Sequence, residues 1–167
     1  MKPALLVIDM QKQFFEGSEQ TRRSLESAVE YINAAIDMFR KKNLPVISIQ
    51  HVNPEDGLTP EAPGFALPET LNVLPSDIHI HKTYGNAFTK TQLDAELRKL
   101  GVDTLIITGF CAEYCVLSTY RGALDQDFHP ILFRGGLASV NPENIGFVER
   151  VNDIISYGAL NKVMENC

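Results

Sequence analysis

Four short, mainly apolar runs, Leu5–Ile8, Pro45–Ile49, Thr104–Thr108 and Pro130–Phe133, recur along the chain without alternating with polar residues. A strand with one wet face alternates, so these runs suit strands covered on both faces, as in a parallel sheet. Between the first two, Leu25, Val29, Ile32, Ile36 and Phe39 return at intervals of three and four, the spacing of one helical face. Further on, Thr89 and Gln92 read as a capping box, Leu93, Leu97 and Leu100 follow at helical spacing, and Gly101 stands where a C-cap belongs. A helix is expected over 113–127, after the third run, and another from Asn141 with Pro142 in its first position. Short strands at 78–80 and 161–164 complete a set of five or six.

Strand and helix in alternation imply one three-layer α/β/α domain over 1–167, a parallel sheet with right-handed crossovers and no internal repeat. In such sheets the ligand lies at the carboxyl ends of the strands. At 167 residues, 44% hydrophobic and 22% charged, the chain can bury a core without disulfides or metal. Its net charge of −6, with Lys and Arg dispersed, offers no basic stripe for a phosphate backbone, so nucleic acid is not an expected partner. The run 4–8 is too short for a signal-peptide core and no stretch could span a bilayer, which implies no membrane partner and a cytoplasmic location.

The three cysteines, Cys111, Cys115 and Cys167, are an odd number and form no disulfide framework. Cys111 and Cys115 stand four apart, but no second Cys or His pair completes a metal cage, and His79 and His81 alternate along a strand. Cys167, the last residue, reads as a thiol with no catalytic role, and His129, before Pro130 at a strand start, as structural. The stretch 53–74, with Pro54, Pro60, Pro63 and Pro68, is too long and proline-rich for an ordinary connection and reads as a loop over the site.

Three side chains stand at or just past strand carboxyl ends: Asp9 closes the first run, Lys82 follows the third strand, and Cys115 begins the helix after Thr108. Singly they have plain readings, a capping aspartate, a solvated lysine and a small buried thiol. Together on one rim, a thiol, a carboxylate and an ammonium make an activated nucleophile. Unpaired N–H groups at a helix start would lower the thiol pKa below the ordinary ~8.5 and could hold an oxyanion.

These segments resemble a known family. Asp9-Met10-Gln11-Lys12-Gln13-Phe14 is similar to the D-x-Q-x-x-F opening of isochorismatase-like hydrolases. Lys82 with Asn86-Ala87-Phe88, Thr91 and Leu93 resembles their K-x-x-x-[SN]-A-F-x-x-T-x-L segment. Gly109 to Val116, with Glu113 and Cys115, resembles G-[VIL]-x-[TA]-[DE]-x-C-V, continued by Thr119 and Ala123. The resemblance implies strand order 3-2-1-4-5-6, a triad of Asp9, Lys82 and Cys115, and a cis peptide between Phe110 and Cys111 that turns N–H groups toward an oxyanion. It implies cleavage of a small carbonyl compound, an amide foremost, through a thioester. A homo-oligomer, dimer or tetramer, is implied as well. Phe14, Tyr84 and Tyr114 adjoin the triad and are the candidate pocket residues.

Nicotinamidases of this superfamily hold a metal with D-x-H-P after the second strand. Here that segment is His51-Val52-Asn53-Pro54, so neither acidic nor imidazole ligand stands in its usual place, and no metal or other cofactor is expected, although His51 could ligate alone. Isochorismatase chemistry on a vinyl ether is disfavoured by Cys115, because those relatives lack a cysteine there. A catalytically silent binding or assembly module is the reading from another class. A flavodoxin-like or dinucleotide-binding domain lacks support, since no G-x-G-x-x-G follows the first strand.

Overall fold

The computed structural model describes residues 1–165, so the reading of Cys167 lies outside the described residues. Six strands, β1 (Pro3–Ile8), β2 (Val46–His51), β3 (Ile78–Lys82), β4 (Thr104–Gly109), β5 (His129–Leu137) and β6 (Ile154–Ile155), form a parallel sheet in the order β3-β2-β1-β4-β5-β6. This is the expected order. All positions of β1 are buried, and alternate side chains serve opposite layers. Leu6 and Ile8 pack in one cluster with Leu93, Leu97, Val116, Tyr120 and Val148, whereas Leu5 and Val7 pack in another with Leu25, Ile32, Ile36, Phe39 and Leu160. Two covered faces are why the run does not alternate.

The helices divide accordingly. On the Leu5 side lie α1 (Lys12–Phe15), α2 (Glu19–Lys41) and α6 (Tyr157–Met164); on the Leu6 side lie α3 (Leu93–Lys99), α4 (Leu117–Asp125) and α5 (Glu143–Arg150). α2 starts where Ser18 Oγ accepts the Thr21 N–H, and it buries the face marked by Leu25, Val29, Ile32, Ile36 and Phe39. Each such side chain contributes roughly 1.5–3 kcal/mol.

Several local expectations are corrected. The Thr89–Gln92 capping box does not form: α3 starts at Leu93 without a side-chain cap from Gln92, and Thr91 Oγ1 accepts the Leu93 N–H instead. Gly101 does follow α3 in the left-handed region, at φ +68°. The helix expected over 113–127 is split into a π-helical turn, Ala112–Val116, and α4. Pro142 caps α5 and is not its first residue. The strand placed at 161–164 is helical: Leu160 and Met164, four apart, are the buried residues of α6, and the sixth strand is the two-residue Ile154–Ile155.

The stretch 53–74 contains 3-10 turns at Pro54–Asp56 and Pro63–Phe65, and it buries Leu58, Phe65 and Leu71. Among the described residues, no helix is long and apolar enough to cross a membrane.

Candidate active site

The site is assembled where β1, β2, β3 and β4 end. Immediately after β1, Asp9 takes φ +51°, a left-handed value that aspartate tolerates better than most residues, and its side chain is left almost wholly buried. Beside it β4 ends at Gly109, φ +116°, where a Cβ would stand 2.1 Å from the Ile8 carbonyl oxygen. Only glycine lets the two strands lie that close at this point. The Phe110–Cys111 peptide that follows is cis, as expected. The chain then makes the π turn, in which the Val116 N–H reaches back five residues to the Cys111 carbonyl, and Cys115 sits within it.

Lys82, the last residue of β3, is fully buried and brings the three candidates together. Its Nζ lies 3.0 Å from Asp9 Oδ2 and 3.2 Å from Cys115 Sγ. It also lies 2.9 Å from His51 Nδ1 and 3.0 Å from the Tyr84 carbonyl oxygen. Four acceptors thus surround three N–H bonds. Asp9 Oδ1, also buried, has no hydrogen-bond partner among the described residues.

Burial governs the protonation states. Desolvation raises the Asp9 carboxyl above its usual range, with Lys82 pulling the other way. Burial, and then the charge of Asp9, push the Cys115 thiol up to about 12 against the opposing effect of Lys82. This corrects the expectation of a thiol lowered by a helix terminus: Cys115 lies in the π turn ahead of α4, and desolvation by burial is the largest influence on it. The resting sulfur therefore carries its proton. The buried Asp9 carboxyl, with Oδ1 unpartnered among the described residues, stands beside it.

A cavity of about 230 Å³ opens onto these groups, lined by Asp9, Phe14, His51, Phe110, Cys111 and Cys115, with Gln13, Asn53, Asp56 and Leu58 closing the side toward the 53–74 stretch. A larger, more open groove along β3 and α3, about 630 Å³, touches none of the three candidates. Phe14 packs its ring on Phe110 at 5.0 Å between centroids. Tyr84 and Tyr114 are corrected as pocket residues: both are exposed and outside the lining. Tyr84 acts through its carbonyl on Lys82, while its hydroxyl accepts from Lys90.

Two supporting contacts were not legible in the motifs. Gln11 clamps the end of β2 with its side-chain amide, donating to the His51 carbonyl at 2.9 Å and accepting the His51 N–H at 2.7 Å. Glu113 ties the Ala112–Val116 turn to the loop after β5, accepting from Ser139 Oγ at 2.7 Å and from Asn144 Nδ2 at 2.9 Å.

The residues here do not fit a metal of the D-x-H-P kind. Asn53 spends its side chain on the Pro54–Asp56 turn, accepting the Glu55 N–H and donating to Asp56 Oδ2. Asp9, His51 and Cys115 each offer a ligand atom within 4.8 Å of the others, yet the Lys82 ammonium is bonded to a side-chain atom of all three. A cation belonging to the chain already holds that position.

Residues 3–147 match the isochorismatase domain family. The isochorismatase family protein YrdC of Bacillus subtilis (strain 168) is 30% identical over 140 residues, which span 83% of this chain and 74% of YrdC. A crystal structure of an isochorismatase family protein superposes with a TM-score of 0.83 at 29% identity, covering 92% of this chain and 98% of the other. N-carbamoylsarcosine amidase of Thermoplasma acidophilum superposes with a TM-score of 0.81 at 26% identity, covering 94% and 97%.

Proposed function

This chain belongs to the isochorismatase family of hydrolases, and we propose that it cleaves a C–N amide bond of a small substrate with Asp9, Lys82 and Cys115 as its catalytic residues. The observation that carries this reading is a single buried ammonium within 3.2 Å of the sulfur and 3.0 Å of the carboxylate. The likeness to an amidase of the same fold supports the choice of an amide. A cavity of about 230 Å³ falls below the roughly 300–1,000 Å³ of pockets that hold drug-sized ligands, which favours a small substrate.

In this mechanism Asp9 takes the thiol proton as the Cys115 sulfur adds to the carbonyl carbon, and Lys82 offsets the negative charge that passes from carboxylate to sulfur and on to oxygen. The N–H groups of Ala112, Tyr114 and Val116 are already committed to backbone carbonyls, and those of Cys111 and Cys115 are assigned to the oxyanion. Collapse of the tetrahedral intermediate breaks the C–N bond while Asp9 returns its proton to the leaving nitrogen. Asp9 then deprotonates a water that cleaves the thioester, releasing the acid and restoring the thiol.

The test is ammonia or amine release from a panel of small amides. The wild-type protein is expected to turn over at least one of them and Cys115→Ala none, with unchanged circular dichroism. Full activity in Cys115→Ala would rule the mechanism out.

A further inference from the structure

His51 occupies the centre of the site without a place in the chemistry above. It is the last residue of β2, and the strand register sets it directly opposite Lys82, the last residue of β3. Its backbone is fixed on both sides, by the Gln11 amide and by the adjoining Val52 N–H, which donates to the Lys82 carbonyl at 2.7 Å. The imidazole is thus presented from a rigid strand end, and its Nδ1 meets Lys82 Nζ at 2.9 Å.

Resting on the reading of Asp9, Lys82 and Cys115 as the reactive set, we propose that His51 is a positioning residue for Lys82: its imidazole accepts an ammonium hydrogen bond at Nδ1 and so holds the ammonium head against Asp9 and the Cys115 sulfur. A lysine head on a four-carbon stem has no preferred direction of its own. Two fixed acceptors, His51 Nδ1 and the Tyr84 carbonyl, supply one, and they leave one N–H to be shared between Asp9 and the Cys115 sulfur. An acceptor must be unprotonated at Nδ1, so the ring carries its hydrogen on Nε2. The charged groups around the ring, Lys82, Asp9 and Asp56, agree with a neutral imidazole, since burial and then Lys82 disfavour its protonation more than the carboxylates favour it.

Two measurements decide the matter. Long-range ¹H–¹⁵N spectra at neutral pH read the tautomer of His51 directly in the wild-type protein. The Nε2-protonated form is expected, and a ring protonated at Nδ1 would overturn the proposal. The second is the rate at which iodoacetamide alkylates Cys115, followed by peptide mass. In His51→Leu, which offers no acceptor, the rate should fall about tenfold or more, the size of one hydrogen bond to a charged group. In His51→Asn, whose Oδ1 stands near the position of Nδ1, most of the rate should return. A His51→Leu rate equal to wild type, or no recovery in a folded His51→Asn, would overturn the proposal; if His51→Leu does not fold, the tautomer and the His51→Asn rate still decide. A wild-type Cys115 whose alkylation is indifferent to Asp9→Asn would instead sink the catalytic reading itself, so the two failures are distinct.

Discussion

The two ends of the paired strands β1 and β4 each carry an aspartate beside an amine, in opposite surroundings. At the amino end Asp103 lies 3.7 Å from the Met1 amino group, with side chains 51% and 41% exposed. At the carboxyl end Asp9 lies 3.0 Å from Lys82, with side chains 2% and 0% exposed. At Asp103 a hydrogen bond from Thr104, followed by smaller effects, lowers the carboxyl pKa. At Asp9 burial raises it in spite of the lysine. Similar partners thus make a solvated surface contact with a lowered carboxyl at one end and a buried contact with a raised carboxyl at the other, and access to water decides which.

The sharpest way to break the contrast is to remove the chemistry. Cys115→Ala should abolish turnover, and Asp9→Asn should lower kcat by about a thousandfold, within the range of a lost general base, while Asp103→Asn leaves kcat unchanged. Next in size, Lys82→Met should cost about 3–5 kcal/mol in a urea titration, because it removes the cationic partner of a buried carboxyl. Ile32→Ala, in the apolar layer of α2, should cost about 2–5 kcal/mol with no effect on the chemistry, which calibrates what packing alone contributes. Asp103→Asn should cost less than about 1 kcal/mol, as expected for an exposed pair screened by solvent.

The pH dependence separates the two aspartates by sign. A carboxyl raised in the fold contributes most stability below its usual 3.8 and loses that contribution as pH rises through its folded value, which is Asp9. A carboxyl lowered in the fold contributes above 3.8 and loses that contribution as pH falls through its folded value, which is Asp103. Activity runs the other way from Asp9 stability, since the base must be ionised: kcat should fall as acid is added, at a pH above 3.8. Profiles of kcat and of urea midpoint, compared between wild type, Asp9→Asn and Asp103→Asn, check each sign.

Much of this was visible in the residues because it is local. An apolar run that ends abruptly at Asp9 marks a strand leaving the core, and the spacing of Leu25 to Phe39 is the buried face of α2. The gathering of Asp9, Lys82 and Cys115 on one rim follows from their places at strand carboxyl ends, whereas the strand order comes from the resemblance and not from the pattern. What stayed hidden depends on register or burial. The meeting of His51 with Lys82 needs β2 and β3 paired at 51 and 82, and the Gln11 clamp spans 40 residues. Ile154–Ile155 is too short to show a period, so the sixth strand was placed on the apolar residues of α6. A place at a helix start predicts a low thiol pKa, but the thiol of Cys115 is raised by desolvation, which only the folded surroundings determine.

The most direct measurement is intact mass of the protein quenched in acid during turnover of an amide that releases ammonia. A covalent increment equal to the acyl fragment, mapped to Cys115 and absent from Cys115→Ala, is the predicted result. Turnover of the same amide by Cys115→Ala at the wild-type rate would contradict it.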